Sequence, residues 1–111
     1  MKAEYRWAVR EDVPLILTLI RALADYEHML DQVVATEEEL AYWLFEAKKA
    51  EVLFVQEQGA VVGFALFFHN FSTFLGRAGL YLEDLFVLPE HRGKGYGKST
   101  LQQLGRIALE R

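Results

Sequence analysis

The chain has 111 residues, 52% of them hydrophobic, which is the size of one domain with enough apolar material for a core. Twelve basic against sixteen acidic residues give a formal net charge of -4, which argues against a surface that wraps nucleic acid or an anionic membrane and suits a cationic partner. No cysteine is present, which excludes a disulfide scaffold, a thiolate zinc site and a cysteine nucleophile, and His28, His69 and His91 lie too far apart to suggest a metal site.

Met1 to Arg6 carries charges where a secretory leader needs an apolar run, and no segment reaches the ~18 apolar residues of a membrane span. A cytoplasmic protein with no membrane partner is the expectation. Residues from about Glu4 to Val9 alternate between polar and apolar, predicting a short first strand. Asp12 then stands at an N-cap position with Pro14 in the first turn, and Leu15, Ile16, Leu19, Ile20 and Leu23 follow at helical spacing to about Tyr26. Thr36-Glu37-Glu38-Glu39 fits a capping box that opens a second helix through Leu40, Trp43, Leu44 and Ala47. Two segments rich in Val, Phe and Leu, Glu51 to Glu57 and Ala60 to His69, flank Gln58-Gly59 and predict a hairpin. Asn70 to Gly79 reads as a loop and Leu80 to Leu88 as a further strand. The last helix begins near Tyr96 or Gly97, with Leu101, Leu104, Ile107 and Ala108 on one face. The order β-α-α-β-β-β-α describes a single α/β (α+β) domain over residues 1–111 with a mainly antiparallel sheet.

The junction before that helix, Arg92-Gly93-Lys94-Gly95-Tyr96-Gly97-Lys98, carries the chemistry. Alternating glycines let the backbone take positive φ and approach a ligand closely, and the helix start offers unpaired N–H groups at the positive end of its dipole. A phosphate or pyrophosphate is the natural guest. Spacing separates three versions of such a loop. A dinucleotide G-x-G-x-x-G begun at Gly93 needs glycine where Lys98 stands. A Walker A loop ending in Gly97-Lys98-Ser99 needs its first glycine at Arg92. The third pattern, Arg92-x-x-Gly95-x-Gly97 after an apolar strand, resembles the pyrophosphate loop of the GNAT superfamily of N-acetyltransferases, whose order of elements also matches. Asp25-Tyr26-Glu27, Val62-Gly63-Phe64-Ala65 and Leu80-Tyr81-Leu82-Glu83-Asp84-Leu85-Phe86-Val87 are similar to the diamine (spermidine/spermine) and thialysine branch, and the likeness covers essentially the whole chain.

The resemblance implies that Arg92, Gly93, Lys94, Gly95, Tyr96, Gly97 and Lys98 hold the pyrophosphate of acetyl-coenzyme A, while Leu85, Phe86 and Val87 line its pantetheine arm. It implies transfer of an acetyl group to a small amine, a diamine, polyamine or thialysine-like compound. Such a transfer needs a neutral amine and a proton acceptor within reach. Glu83 is the candidate: alternation places it on a face with Tyr81 and Leu85 in an apolar central strand, where burial would raise its pKa and its charge would attract an ammonium group. Asp84 is expected on the other face in a structural hydrogen bond. Tyr26 and Glu27 match the family's substrate-contacting pair, with Glu27 on a distal ammonium. His91 adjoins the loop and has the chemistry of a base, but it is read as an ordinary exposed loop histidine.

Members of the superfamily continue past the position of Arg111 with a strand that opens the pantetheine slot and a helix whose tyrosine protonates the departing thiolate. On that pattern the chain is expected to be the N-terminal portion of such a domain, and no residue in it takes the acid role. The resemblance also implies a homodimer. A second function class stays open, a non-catalytic domain that binds coenzyme A or assembles through an exposed sheet edge.

Overall fold

In a computed structural model, which describes residues 3–111, the chain runs β1 (Glu4–Trp7), α1 (Val13–Tyr26), α2 (Glu37–Ala41), β2 (Glu51–Glu57), β3 (Ala60–Ser72), β4 (Arg77–Val87) and α3 (Tyr96–Glu110). The order is the one predicted. The four strands form one antiparallel sheet in sequence order, β1-β2-β3-β4, so β4 lies at an edge and not at the centre.

Helices cover both faces of this sheet. Ile16 and Leu19 of α1 pack with Leu44, Val52, Phe54, Phe64 and Phe86 on one side, and Leu104 and Ile107 of α3 pack with Leu53, Ala65 and Phe67 on the other. That double cover explains the unbroken apolar run Val52-Leu53-Phe54-Val55, in which alternate side chains enter alternate cores and all four are buried. Phe54, Phe64 and Phe67 are fully buried, and each such burial stabilises the fold by about 2 kcal/mol.

Local chemistry sets the helix starts. The predicted capping box forms: the Glu39 N–H donates to Thr36 Oγ1 at 3.1 Å and the Thr36 N–H to Glu39 Oε1 at 3.0 Å. Asp12 occupies the N-cap position of α1 without capping it. A short 3₁₀ turn over Arg10–Asp12 faces its carboxylate backward, where it accepts from Arg6 Nη1 and from the Val9 N–H, both at 2.8 Å. The second helix departs from expectation at Tyr42–Glu46, where the chain widens into a π turn. Leu44 enters the core there and Trp43 remains exposed.

Two further differences shape the site. The segment expected to be a loop between Asn70 and Gly79 is largely strand: Asn70 pairs with Gly79 and Phe71 with Ala78. The turn spans only residues 73–76, closed by the Gly76 N–H on Ser72 O at 2.8 Å with Gly76 at φ +67°. The small and flexible residues of the segment, Asn70, Ser72, Gly76 and Gly79 among them, imitate a longer loop. Second, β4 is bulged at Glu83: Phe67 pairs with Leu82 and Leu66 with Asp84, leaving Glu83 unpaired. Leu82 and Leu85 therefore both face the α3 side, and Glu83 does not share alternation with Leu85 as a regular strand would require.

At its far end β4 lies very close to β3. A Cβ at Gly63 would sit 2.4 Å from the Phe86 carbonyl oxygen and 3.1 Å from Val87 Cα. Only glycine admits that approach, which carries β4 into the Leu88 N–H bond to Val62 O at 2.8 Å and aims it toward the glycine loop.

Candidate active site

Beyond Val87 a short turn, Pro89–His91, leads into the loop. Gly93 and Gly95 both adopt φ +81°, and Gly95 is the left-handed N-cap of α3. The first helical bond runs from the Ser99 N–H to Gly95 O at 3.0 Å. Among the described residues, none accepts the backbone N–H groups of residues 93–98. A Cβ built at Gly93, Gly95 or Gly97 would meet nothing within 4 Å, so no side chain or backbone crowds the loop on that side. An arc of free N–H groups at the positive end of a helix is an arrangement that can accommodate an anion. It borders a cleft of about 440 Å³ whose walls include Leu85, Val87, His91 and Arg92.

Side chains brace this arc. Tyr5 of β1 and Ser99 of α3 share a hydrogen bond of 2.6 Å, and Thr100 donates to Tyr96 O at 2.7 Å. The Tyr96 ring is buried beside Val55, Val62 and Val87, and its hydroxyl donates to Glu57. The same carboxylate receives the Lys94 ammonium at 2.9 Å and lies 3.4 Å from His91 Nδ1. The Tyr96 and Lys94 bonds hold Glu57 below the usual carboxylate range, and the Glu57 bond, followed by burial, pushes the Tyr96 hydroxyl up to about 12.

Arg92 turns away from the arc. Its Nε donates to Val87 O at 2.9 Å, and its guanidinium lies 4.0 Å over the Tyr26 ring and 5.3 Å from the Phe86 centroid. The Tyr26 and Phe86 rings are themselves 6.3 Å apart. A residue expected at the coenzyme thus touches one expected at the substrate, joining the end of α1 to the loop.

Beside this junction lie three carboxylates. Glu27 and Glu83 are exposed, so the burial expected of Glu83 is not found. Asp84 is half-buried, and its carboxyl is raised above the usual range, first by burial and then by the charges of Glu83 and Glu27. The charges of Glu83 and Glu27 act on Asp84, and the grouping makes a negative rim suited to a cation.

Of the residues expected to line the pantetheine arm, Leu85 and Val87 reach the cleft, whereas the Phe86 side chain is buried in the α1-side core. Tyr96 offers the arc its backbone alone, and Lys98 is exposed on the first turn of α3. Two residues escape the sequence. Glu57 meets its partners across the sheet with no local motif, and Asp84 was expected in a structural hydrogen bond.

Comparison with known proteins agrees with this geometry. The model of the acetyltransferase (GNAT) family matches residues 17–111, and the chain belongs to that family, as an N-acetyltransferase. Within it, the chain falls in the thialysine and polyamine branch. It is 38% identical to thialysine N-epsilon-acetyltransferase of Bos taurus over 96% of this chain and 67% of that protein. It is 28% identical to L-ornithine N5-acetyltransferase of Arabidopsis thaliana over 99% of this chain and 68% of that one. A ribosomal-protein-alanine N-acetyltransferase from Brucella melitensis shares the fold with a TM-score of 0.77 at 23% identity, covering 100% of this chain and 74% of that one. Enzymes of the family use acetyl-coenzyme A. The free N–H arc and its Cβ-free glycines fit the pyrophosphate of that coenzyme.

Proposed function

We propose that residues 1–111 form one acetyltransferase domain that moves the acetyl group of acetyl-coenzyme A to the amino group of a small polycationic amine, a diamine, polyamine or thialysine-like compound. The observation that carries this reading is the grouping of three carboxylates, Glu27, Glu83 and Asp84, at the end of α1 where Tyr26 meets Arg92 of the glycine loop. One side recruits phosphate and the other recruits ammonium.

When bound, the coenzyme supplies the acetyl group as a thioester. The N–H groups of residues 93–98 hold its pyrophosphate, and Leu85 and Val87 flank its arm. Glu83, projecting from the bulge, attracts the substrate ammonium and takes its proton, directly or through one water, to leave a neutral amine. The new N–C bond forms as the C–S bond of the thioester breaks, and coenzyme A leaves as its thiolate, which takes up the second proton released by the amine. Glu27 and Tyr26 hold the distal ammonium, and Asp84 adds negative potential behind them. The same reading takes the enzyme as a cytoplasmic homodimer, for which light scattering of the purified protein is the check.

The test is a panel of amines incubated with acetyl-coenzyme A and followed by mass spectrometry. Diamines, polyamines and thialysine should gain an acetyl group faster than monoamines of equal length. Equal rates on both would remove the role of the acidic rim, and no acetylation of any amine would remove the activity.

A further inference from the structure

We infer that Glu57 is a positioning residue for the coenzyme phosphates: it clasps the glycine loop from the sheet side and fixes the arc of free N–H groups without reaching the ligand. This rests on the coenzyme reading above and adds a residue to it.

A loop whose backbone donors are reserved for a ligand cannot use them to hold its own shape. Among the described residues none accepts the N–H groups of residues 93–98, and two of those residues are glycines at φ +81°, which have the most conformational freedom to lose. Shape must come from side chains. Arg92 secures the upstream edge on Val87 O, and the Tyr5–Ser99 bond secures the first turn of α3. Between them the anchor is Glu57, the last residue of β2. It accepts from Tyr96 and Lys94 and neighbours His91, so its three partners straddle Gly93 and Gly95. The buried Tyr96 ring is fixed among Val55, Val62 and Val87, which makes its hydroxyl a rigid point of attachment. The end of β2 is itself tied down, because the Gly59 N–H reaches Glu4 Oε1 at 3.4 Å.

Electrostatics sharpens the inference. A carboxylate beside an anion site opposes binding, so its charge alone would make Glu57 unfavourable there. Lys94, at 2.9 Å, offsets that charge, and what remains is the ordering of the loop. Losing that order over several residues outweighs the attraction that a single freed, solvent-exposed Lys94 would offer a phosphate.

Coenzyme A binding by calorimetry, with rates for acetyl-coenzyme A and for the phosphate-free donor S-acetylpantetheine, tests this. Glu57→Ala should weaken coenzyme A by about tenfold, while kcat/KM with S-acetylpantetheine stays at the wild-type value. Glu57→Gln, whose amide oxygen still accepts from Tyr96, should bind within about threefold of wild type. Tyr96→Phe should weaken binding as Glu57→Ala does, and the double variant should be no weaker than either single one. Unchanged or tighter coenzyme A binding by Glu57→Ala and Tyr96→Phe would overturn the inference, as would equal loss with both donors, the mark of general loosening. Failure of the wild-type protein to bind coenzyme A would remove the coenzyme reading and this one together; wild-type binding with unaffected variants would remove this one alone.

Discussion

Replacing Gly63 with alanine should disturb the cleft from a position outside it. The new Cβ would lie 2.4 Å from the Phe86 carbonyl oxygen and 3.1 Å from Val87 Cα, and both are backbone atoms that cannot rotate away. A comfortable carbon contact lies at ~3.5 Å, so β3 and β4 would have to part by roughly 1 Å. Overpacking of this kind costs about 1–3 kcal/mol. With two backbone atoms in the way, the upper end of that range, about 2–3 kcal/mol, is the expected loss for Gly63→Ala. In a domain of this size that lowers Tm by roughly 10 °C or more. The displaced residues include Val87, which lines the cleft, and they precede the Leu88 N–H bond to Val62 O, so the amide of Leu88 should exchange faster. Urea unfolding followed by circular dichroism, with hydrogen exchange at Leu88, measures both effects. Gly105→Ala is the counterpart: it lies inside α3 with nothing within 4 Å of a new Cβ, and it should stabilise by about 0.5–1 kcal/mol. A Gly63→Ala protein within about 0.5 kcal/mol of wild type, or one no less stable than Gly105→Ala, would refute the close-approach reasoning.

Three further outcomes follow from the side chains around the site. Burial raises the Asp84 carboxyl in the folded state, so the native protein holds that proton longer and stability falls as pH rises from the unfolded value through the raised folded one. Asp84→Asn should therefore be more stable than wild type near about pH 7, with the difference fading toward about pH 3, as urea midpoints at the two pH values would report. Asp12 has the opposite sign: the Arg6 hydrogen bond lowers its carboxyl, so its contribution is present above the unfolded value and is lost as pH falls through the lowered one. Asp12→Ala should cost about 1 kcal/mol near about pH 7 and progressively less in acid, by the same midpoints. Arg92→Lys removes the planar group stacked on Tyr26 and the Nε bond to Val87 O. It should weaken coenzyme A by about tenfold in calorimetry and raise KM for the amine, because Tyr26 loses its partner.

Much of this architecture was legible because short-range chemistry wrote it. The Thr36–Glu39 box, the turn at Gln58-Gly59 and the glycines at 93 and 95 each act within a few residues, and each formed where the spacing put it. The bulge at Glu83 was not legible. Nothing in Leu82-Glu83-Asp84-Leu85 interrupts a period of two, and the irregularity is visible only in the pairing with Leu66 and Phe67 on β3. That one inserted residue put Glu83 at the exposed edge and Asp84 in the half-buried position. The strand ends beyond His69 and before Leu80 were hidden by small and polar residues, Asn70, Ser72, Ala78 and Gly79, that pair across the hairpin. The Glu57 cluster was invisible for a different reason. Its partners at His91, Lys94 and Tyr96 come from a distant stretch of chain and meet the carboxylate only once the sheet has folded.

The role assigned to Glu83 is open to direct measurement. Steady-state acetylation of a diamine at saturating acetyl-coenzyme A, for wild type and Glu83→Gln, paired with coenzyme A calorimetry, separates chemistry from coenzyme binding. The carboxylate at the bulge should make kcat fall by about 10²-fold or more in the variant, with the coenzyme A Kd unchanged. Unchanged kcat, or losses of kcat and coenzyme affinity in equal measure, would contradict it.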